Sequence, residues 1–266
     1  MSRNFELLQN LGREREMFEA PLESVTPAPA ATATRLEEPM MKAASVPVEV
    51  HPLQLKMEES QRDEMFKLVQ RVFLAPGAGR GRMVVASAME AGNGCSWICA
   101  RMAEVLASQV SGTVCVVDAN LRSPGLHREF DVPNHFGLTD ALQVTEPVRR
   151  FVTSLSRPNL WLLSCGAEVE GMQSMLSSDR MRALLPELQR EFDYVLIDAP
   201  PIECGDDSVV LGRNAEGIVL VLRANSSRRE TARKAVRDLE NANVRVLGAV
   251  LNRRTFPVPE SIYRKL

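Results

Sequence analysis

The chain has no apolar run long enough to cross a membrane, for which roughly 18 consecutive apolar residues are needed. Its first residues, Met1-Ser2-Arg3-Asn4-Phe5-Glu6, lack the apolar core of an export signal, so a cytoplasmic location is expected. Charge of one sign is missing too. Lys and Arg number 32 and Asp and Glu 34, a formal charge of −2. Bulk charge therefore argues against holding nucleic acid. The five cysteines are odd in number and follow no framework spacing, which argues against a disulfide scaffold. The histidines, His51, His127 and His135, have no metal-ligand spacing and read as surface or loop residues. What is present is a soluble globular profile, 45% hydrophobic and 25% charged over 266 residues. That length suits one large domain or two small ones.

Composition divides the chain. Residues 7–18 read as a short charged helix. Residues 20–52 carry Pro21, Pro27, Pro29, Pro39, Pro47 and Pro52 among Ala and Thr. Such a stretch loses helix hydrogen bonds and has few large side chains to bury, so it reads as a linker. The division is residues 1–52, a helix and Pro/Ala-rich linker, and residues 53–266, a folded domain. Residues 53–74 read as a helix closed by Pro76-Gly77, with Leu55, Phe66 and Val69 expected to pack on the core or on a second subunit.

From Met83 onward short apolar runs alternate with helical patterns. Strands are expected at 83–86, 114–117, 160–163, 194–197, 217–222 and 244–251, and helices at 96–109, 181–192 and 231–241. The runs are too apolar for a half-exposed sheet. The fold class is α/β: a mostly parallel sheet with helices on both faces. Sites in such sheets lie beyond the carboxyl ends of the strands.

Three polar segments stand there. Ala91-Gly92-Asn93-Gly94-Cys95-Ser96-Trp97 joins a strand to a helix. Closely spaced glycines let backbone N–H groups wrap a phosphate, and a helix N-terminus adds favourable potential. Cys95 takes the position of the usual lysine, while Ser96 keeps a hydroxyl that suits magnesium. A plain tight turn before a helix is the other reading of this loop. The second segment is Asp118-Ala119-Asn120-Leu121-Arg122-Ser123-Pro124, and the third is Asp198-Ala199-Pro200-Pro201. An aspartate at a strand end suits a magnesium site.

Together these segments resemble the bacterial tyrosine autokinase family of capsule and exopolysaccharide synthesis, which is similar to the MinD/ParA group of deviant P-loop ATPases. The family's motifs are Pro-Gly-Glu-Gly-Lys-Ser-Thr, Asp-x-Asp-x-Arg-x-Pro and an apolar strand followed by Ile-Asp-x-Pro-Pro. Ile197-Asp198-Ala199-Pro200-Pro201 fits the last fully. Phe136-Gly137-Leu138-Thr139-Asp140-Ala141-Leu142 and Leu247-Gly248-Ala249-Val250-Leu251-Asn252-Arg253 resemble two further segments. The resemblance implies a P-loop NTPase-like fold that binds ATP or ADP with magnesium. It implies catalytic positions at Asp118, Asn120 and Asp198. It implies nucleotide contacts from Gly92, Gly94, Cys95, Ser96, Trp97, Arg122 and Asn252, the last facing the adenine, and metal contacts from Ser96, Asp118 and Asp198.

The departures fall on the chemistry. Cys95 replaces a lysine, Trp97 a small hydroxyl residue, and Asn120 an aspartate. Arg80, Arg82 and Arg122 are candidates for replacement charge. The family's kinases end in a tyrosine cluster, whereas this chain has two tyrosines, of which Tyr263 is the tail candidate. In the subunit-contact motif Glu-x-x-Arg-x-x-Arg, Glu59 and Arg62 match and Met65 does not. The expected function is therefore a degenerate ATP-binding regulatory or scaffold protein of exopolysaccharide biosynthesis, with catalysis weak or lost. An active autokinase and a ParA/MinD-like positioning ATPase are the alternatives. The implied partner is a membrane-bound polysaccharide co-polymerase or chain-length regulator, which would put the protein at the inner membrane. Self-association is expected through residues 53–74. Cys95 and Cys99 stand four apart on a helix, and Cys95, at a helix N-terminus, is expected to have a lowered thiol pKa. The basic excess between Arg228 and Lys265 reads as a solvated face or a contact with an acidic partner.

Overall fold

A computed structural model describes residue 57, residues 59–74 and residues 81–254. The expectations for residues 1–52, Leu55, Arg80 and Tyr263 lie outside the described residues.

The first described element is helix α1 (Glu59–Phe73). Seven strands follow: β1 (Arg82–Ala88), β2 (Val114–Asp118), β3 (Thr153–Ser154), β4 (Leu160–Leu163), β5 (Tyr194–Ala199), β6 (Ile218–Arg223) and β7 (Val246–Asn252). Between them run α2 (Cys95–Gln109), α3 (Leu126–Glu129), α4 (Leu138–Gln143), α5 (Asp179–Glu191), α6 (Asp207–Arg213) and α7 (Arg229–Asn241). The sheet order is β3-β4-β2-β5-β1-β6-β7. Every neighbouring pair is parallel except β3 with β4. β1 and β2 are buried along their whole length, as strands covered on both faces must be.

Alternation along the strands separates two cores. Met83, Val85, Val117, Val195 and Ile197 face Leu184 and Leu188 of α5, Leu211 of α6 and Leu239 of α7. Val84, Ala86, Val116, Leu196 and Val219 face α1 and α2. The fold class is as the sequence indicates. The antiparallel edge strand β3 was not anticipated, since two exposed residues carry no pattern. The last strand starts at Val246 rather than Val244, because Asn243 turns the chain with φ 59° and leaves Val244 as a buried plug.

α1 corrects one expectation. Its buried stripe is Met65, Val69, Val72 and Phe73, while Phe66 is 39% exposed. Those four share one face at helical spacing, and Phe66, two turns before Phe73, sits at its edge. Met65 thus serves the intramolecular contact of α1 with α2. Val69→Ala should lower stability by about 2 kcal/mol, for two lost methyl groups and the space they leave. Phe66→Ala should change it by less than about 0.5 kcal/mol, as an exposed substitution does. Urea unfolding of both variants checks the asymmetry.

Candidate functional site

Parallel register brings the acidic residues together. Asp118 and Asp198 are direct partners on β2 and β5, and Asp198 also pairs with Ala86 of β1. Asp198 lies beside β1, the strand that feeds the glycine loop, Asp118 lies one strand further along the sheet, and both are fully buried. Asp118 Oδ2 accepts the N–H groups of Gly125 and Leu126, each at 2.9 Å. The Cys99 Sγ faces Asp198 Oδ1 at 3.7 Å. The other carboxylate oxygens, Asp118 Oδ1 and Asp198 Oδ2, have no hydrogen-bond partner among the described residues, and neither has Asn120 Oδ1. Burial, and then the charge of Asp198, push Asp118 up to about 7. Burial pushes Asp198 up to about 6, against hydrogen bonds from Ser96, Cys95 and Cys99.

The loop meets this acidic end. Gly92 and Gly94 have φ of 78° and 87°, in the region that favours glycine. Gly94 starts α2 with no side-chain cap, so the first N–H groups of the helix are not claimed by a capping side chain. Asn252 crosses from β7 and donates Nδ2 to Asn93 O at 2.9 Å. A Cβ on Gly94 would lie 2.5 Å from that Nδ2. Gly94→Ala should therefore cost about 1–2 kcal/mol through backbone strain and loss of the Asn252 brace, read as a lowered thermal midpoint. Ala91 N–H donates to Glu203 Oε1 at 2.7 Å. Ser96 Oγ packs closely against Gly125, where a Cβ would come within 2.6 Å.

The structure thus gathers Gly94, Cys95, Ser96, Asp118, Asn120 and Asp198 at one sheet end. It places three others differently. Arg122 reaches toward Asp207, 3.8 Å away. Trp97 is half-buried on the flank of α2, its ring under the Arg101 guanidinium at 5.0 Å. Asn252 is committed to the loop carbonyl and to its own neighbour, Arg253 N–H. Arg82, at the opposite end of β1, lies 2.9 Å from Glu216. The lowered thiol pKa expected for Cys95 is corrected. Its neighbour Cys99, burial and the charge of Asp198 hold that thiol well above its ordinary value, because burial and nearby acid outweigh the helix end. Burial pushes Cys99 up to about 12. Sequence reasoning missed Glu203 and Gly125, since neither carries a motif.

The acidic end fits a hard cation: two buried carboxylates with unpartnered oxygens and the Ser96 hydroxyl beside Asp198. The left-handed glycines before an uncapped helix fit a phosphate group. At the lysine position there is only a thiol.

This arrangement defines a P-loop ATPase-like α/β fold. The kinase domain of Escherichia coli tyrosine kinase Etk superposes with a TM-score of 0.67 at 23% identity, over 75% of this chain and 79% of that one. The cell division ATPase MinD of Pyrococcus furiosus superposes at 0.56 and 23% identity, over 70% and 79%. No family model matches the chain. The tyrosine-protein kinase YwqD of Bacillus subtilis is 34% identical over 161 residues, 60% of this chain and 68% of that protein. The chain belongs to the bacterial tyrosine-protein kinase family of capsule and exopolysaccharide pathways.

Proposed function

We propose that the chain is a nucleotide-binding regulatory or scaffold member of this family, with phosphoryl transfer weak or lost. The observation that carries this reading is Cys95, a buried thiol beside Asp198 where the family has its phosphate-loop lysine. Gly92, Gly94 and the first turn of α2 hold the phosphates through backbone N–H groups. Ser96, Asp118 and Asp198 would hold magnesium, which would supply positive charge to offset that of the phosphates. The unpartnered oxygens of Asp118 and Asp198 would be the groups that bind it, in their ionised form. Asn120, uncharged, positions but does not accept a proton. Arg122 and Asn252 turn toward nucleotide only if they leave Asp207 and Asn93.

Phosphoryl transfer depends on positioning and charge neutralisation, so losing the lysine lowers turnover more than affinity. Such a protein acts by occupancy: its nucleotide state sets a surface read by a partner. The partner is a membrane-bound polysaccharide co-polymerase, and through it the protein sits at the cytoplasmic side of the membrane. Among the described residues no helix is long and apolar enough to cross a membrane itself. Self-association uses the exposed side of α1, where Glu59, Arg62 and Phe66 lie.

Calorimetry of the full chain with ADP or ATP tests the reading. Magnesium-dependent binding of one nucleotide per chain is expected. Absence of heat with both nucleotides would overturn it.

A further inference from the structure

We propose that Cys95, Cys99 and Asp198 form a binding site for a thiophilic divalent cation, with zinc the ion whose chemistry fits best. One ligand atom from each of the three residues, Sγ, Sγ and a carboxylate oxygen, all lie within 4.8 Å of one another. The exposures are 8% for Cys95 and 0% for Cys99 and Asp198. Positions four apart on a helix share a face, so α2 aims both sulfurs at the carboxyl end of β5. Asp198 Oδ2 is buried without a hydrogen-bond partner among the described residues. An unmet buried polar oxygen of this kind destabilises the fold, and a bound cation removes that cost.

The donor set selects the metal. Two thiolates and one carboxylate suit a tetrahedral ion that keeps one position open. Magnesium requires an octahedron of oxygens, and calcium also takes oxygens, so neither suits the sulfurs. Asp118, the register partner of Asp198 on the neighbouring strand, carries a further unpartnered buried oxygen, Oδ1. On binding, the two thiol protons leave to solvent. The site exists because this chain carries Cys95 in its phosphate loop. It shares Asp198 with the magnesium of the nucleotide reading, so the two metals exclude each other. That exclusion rests on the nucleotide reading, whereas the site itself does not.

The test is a cobalt(II) titration of the chelator-treated full chain under reducing conditions. The expected result is one equivalent bound, with thiolate-to-cobalt charge-transfer absorption in the near ultraviolet and the strong visible bands of a tetrahedral ion, all displaced by zinc. Cys99→Ser should weaken binding by more than the roughly 10–100-fold that loss of an outer-shell partner costs. Cys204→Ser, a part-buried cysteine outside the cluster, should leave the spectrum unchanged. No charge-transfer absorption in the unmodified protein overturns the proposal, and so does absorption that survives in Cys95→Ser/Cys99→Ser. Magnesium–ADP binding without the cobalt signal overturns the metal site alone. The cobalt signal without any nucleotide binding supports the metal site and overturns the nucleotide reading.

Discussion

In single-turnover assays with magnesium and ATP, the unmodified protein is expected to react at least about 100-fold more slowly than 1 s⁻¹, the lower end for kinases. One preorganised donor is worth about 10²–10³ in rate, and on the proposed reading Cys95 and Asn120 take away two charges the transition state uses. Cys95 presents a neutral thiol beside Asp198, and Asn120 presents an amide whose Oδ1 is unpartnered. Of the candidates for replacement charge, Arg82 lies by Glu216 at the other end of β1 and Arg122 reaches toward Asp207. The double change Cys95→Lys/Asn120→Asp should raise hydrolysis, or phosphorylation of Tyr263, by at least about tenfold. The restored ammonium would sit beside Asp198 and favour its ionised form. Trp97 is held on the flank of α2 under Arg101, and it limits recovery only if its bulk shifts the first turn. A rate near 1 s⁻¹ for the unmodified protein would show that phosphoryl transfer is intact.

Asp198→Asn should stabilise the ligand-free, metal-free protein at pH 8 by about 2–4 kcal/mol. Both aspartates ionise near 3.8 when unfolded, but burial raises Asp118 to about 7 and Asp198 to about 6 in the fold. Between those values the folded form holds more protons than the unfolded chain. Stability is therefore full below about 4 and is lost as the pH rises through 6 and 7. The amide removes one buried charge and relieves the repulsion on its neighbour. The gap between variant and unmodified protein should shrink to about 1 kcal/mol or less at pH 4.5. Magnesium with nucleotide should stabilise only the unmodified protein, since a ligand of the folded form acts by mass action. Urea unfolding at the two pH values decides the matter, and a gap of equal size at both would count against this account.

Much of the architecture was legible because period and punctuation are local. The apolar runs at 83–86, 114–117 and 194–197 are too short for helices and too apolar for exposed strands, which signals a covered parallel sheet. The closely spaced Gly92 and Gly94 were legible as a phosphate-wrapping loop or tight turn, and their left-handed backbone came from the structure. α1 was legible as a helix, but its buried face was not: Phe66 and Met65 differ by one position, and only the neighbouring surface of α2 selects Met65.

The residue types at the site were set by sequence: a thiol where the family has an ammonium, an amide where it has a carboxylate, and two aspartates at strand ends. Their protonation and partners were decided by the tertiary structure. A helix N-terminus alone lowers a thiol pKa, yet packing α2 over β5 puts Cys95 against Cys99, buried and beside Asp198, and raises it. Likewise nothing in the order of the chain says that Glu203 holds the Ala91 amide or that Asn252 braces Gly94. Those contacts join segments more than a hundred residues apart. They form because the parallel order places β5, β1 and β7 so that the residues after their ends converge on one loop. Local pattern specifies which elements form, and burial and charge at their convergence determine what each side chain can do.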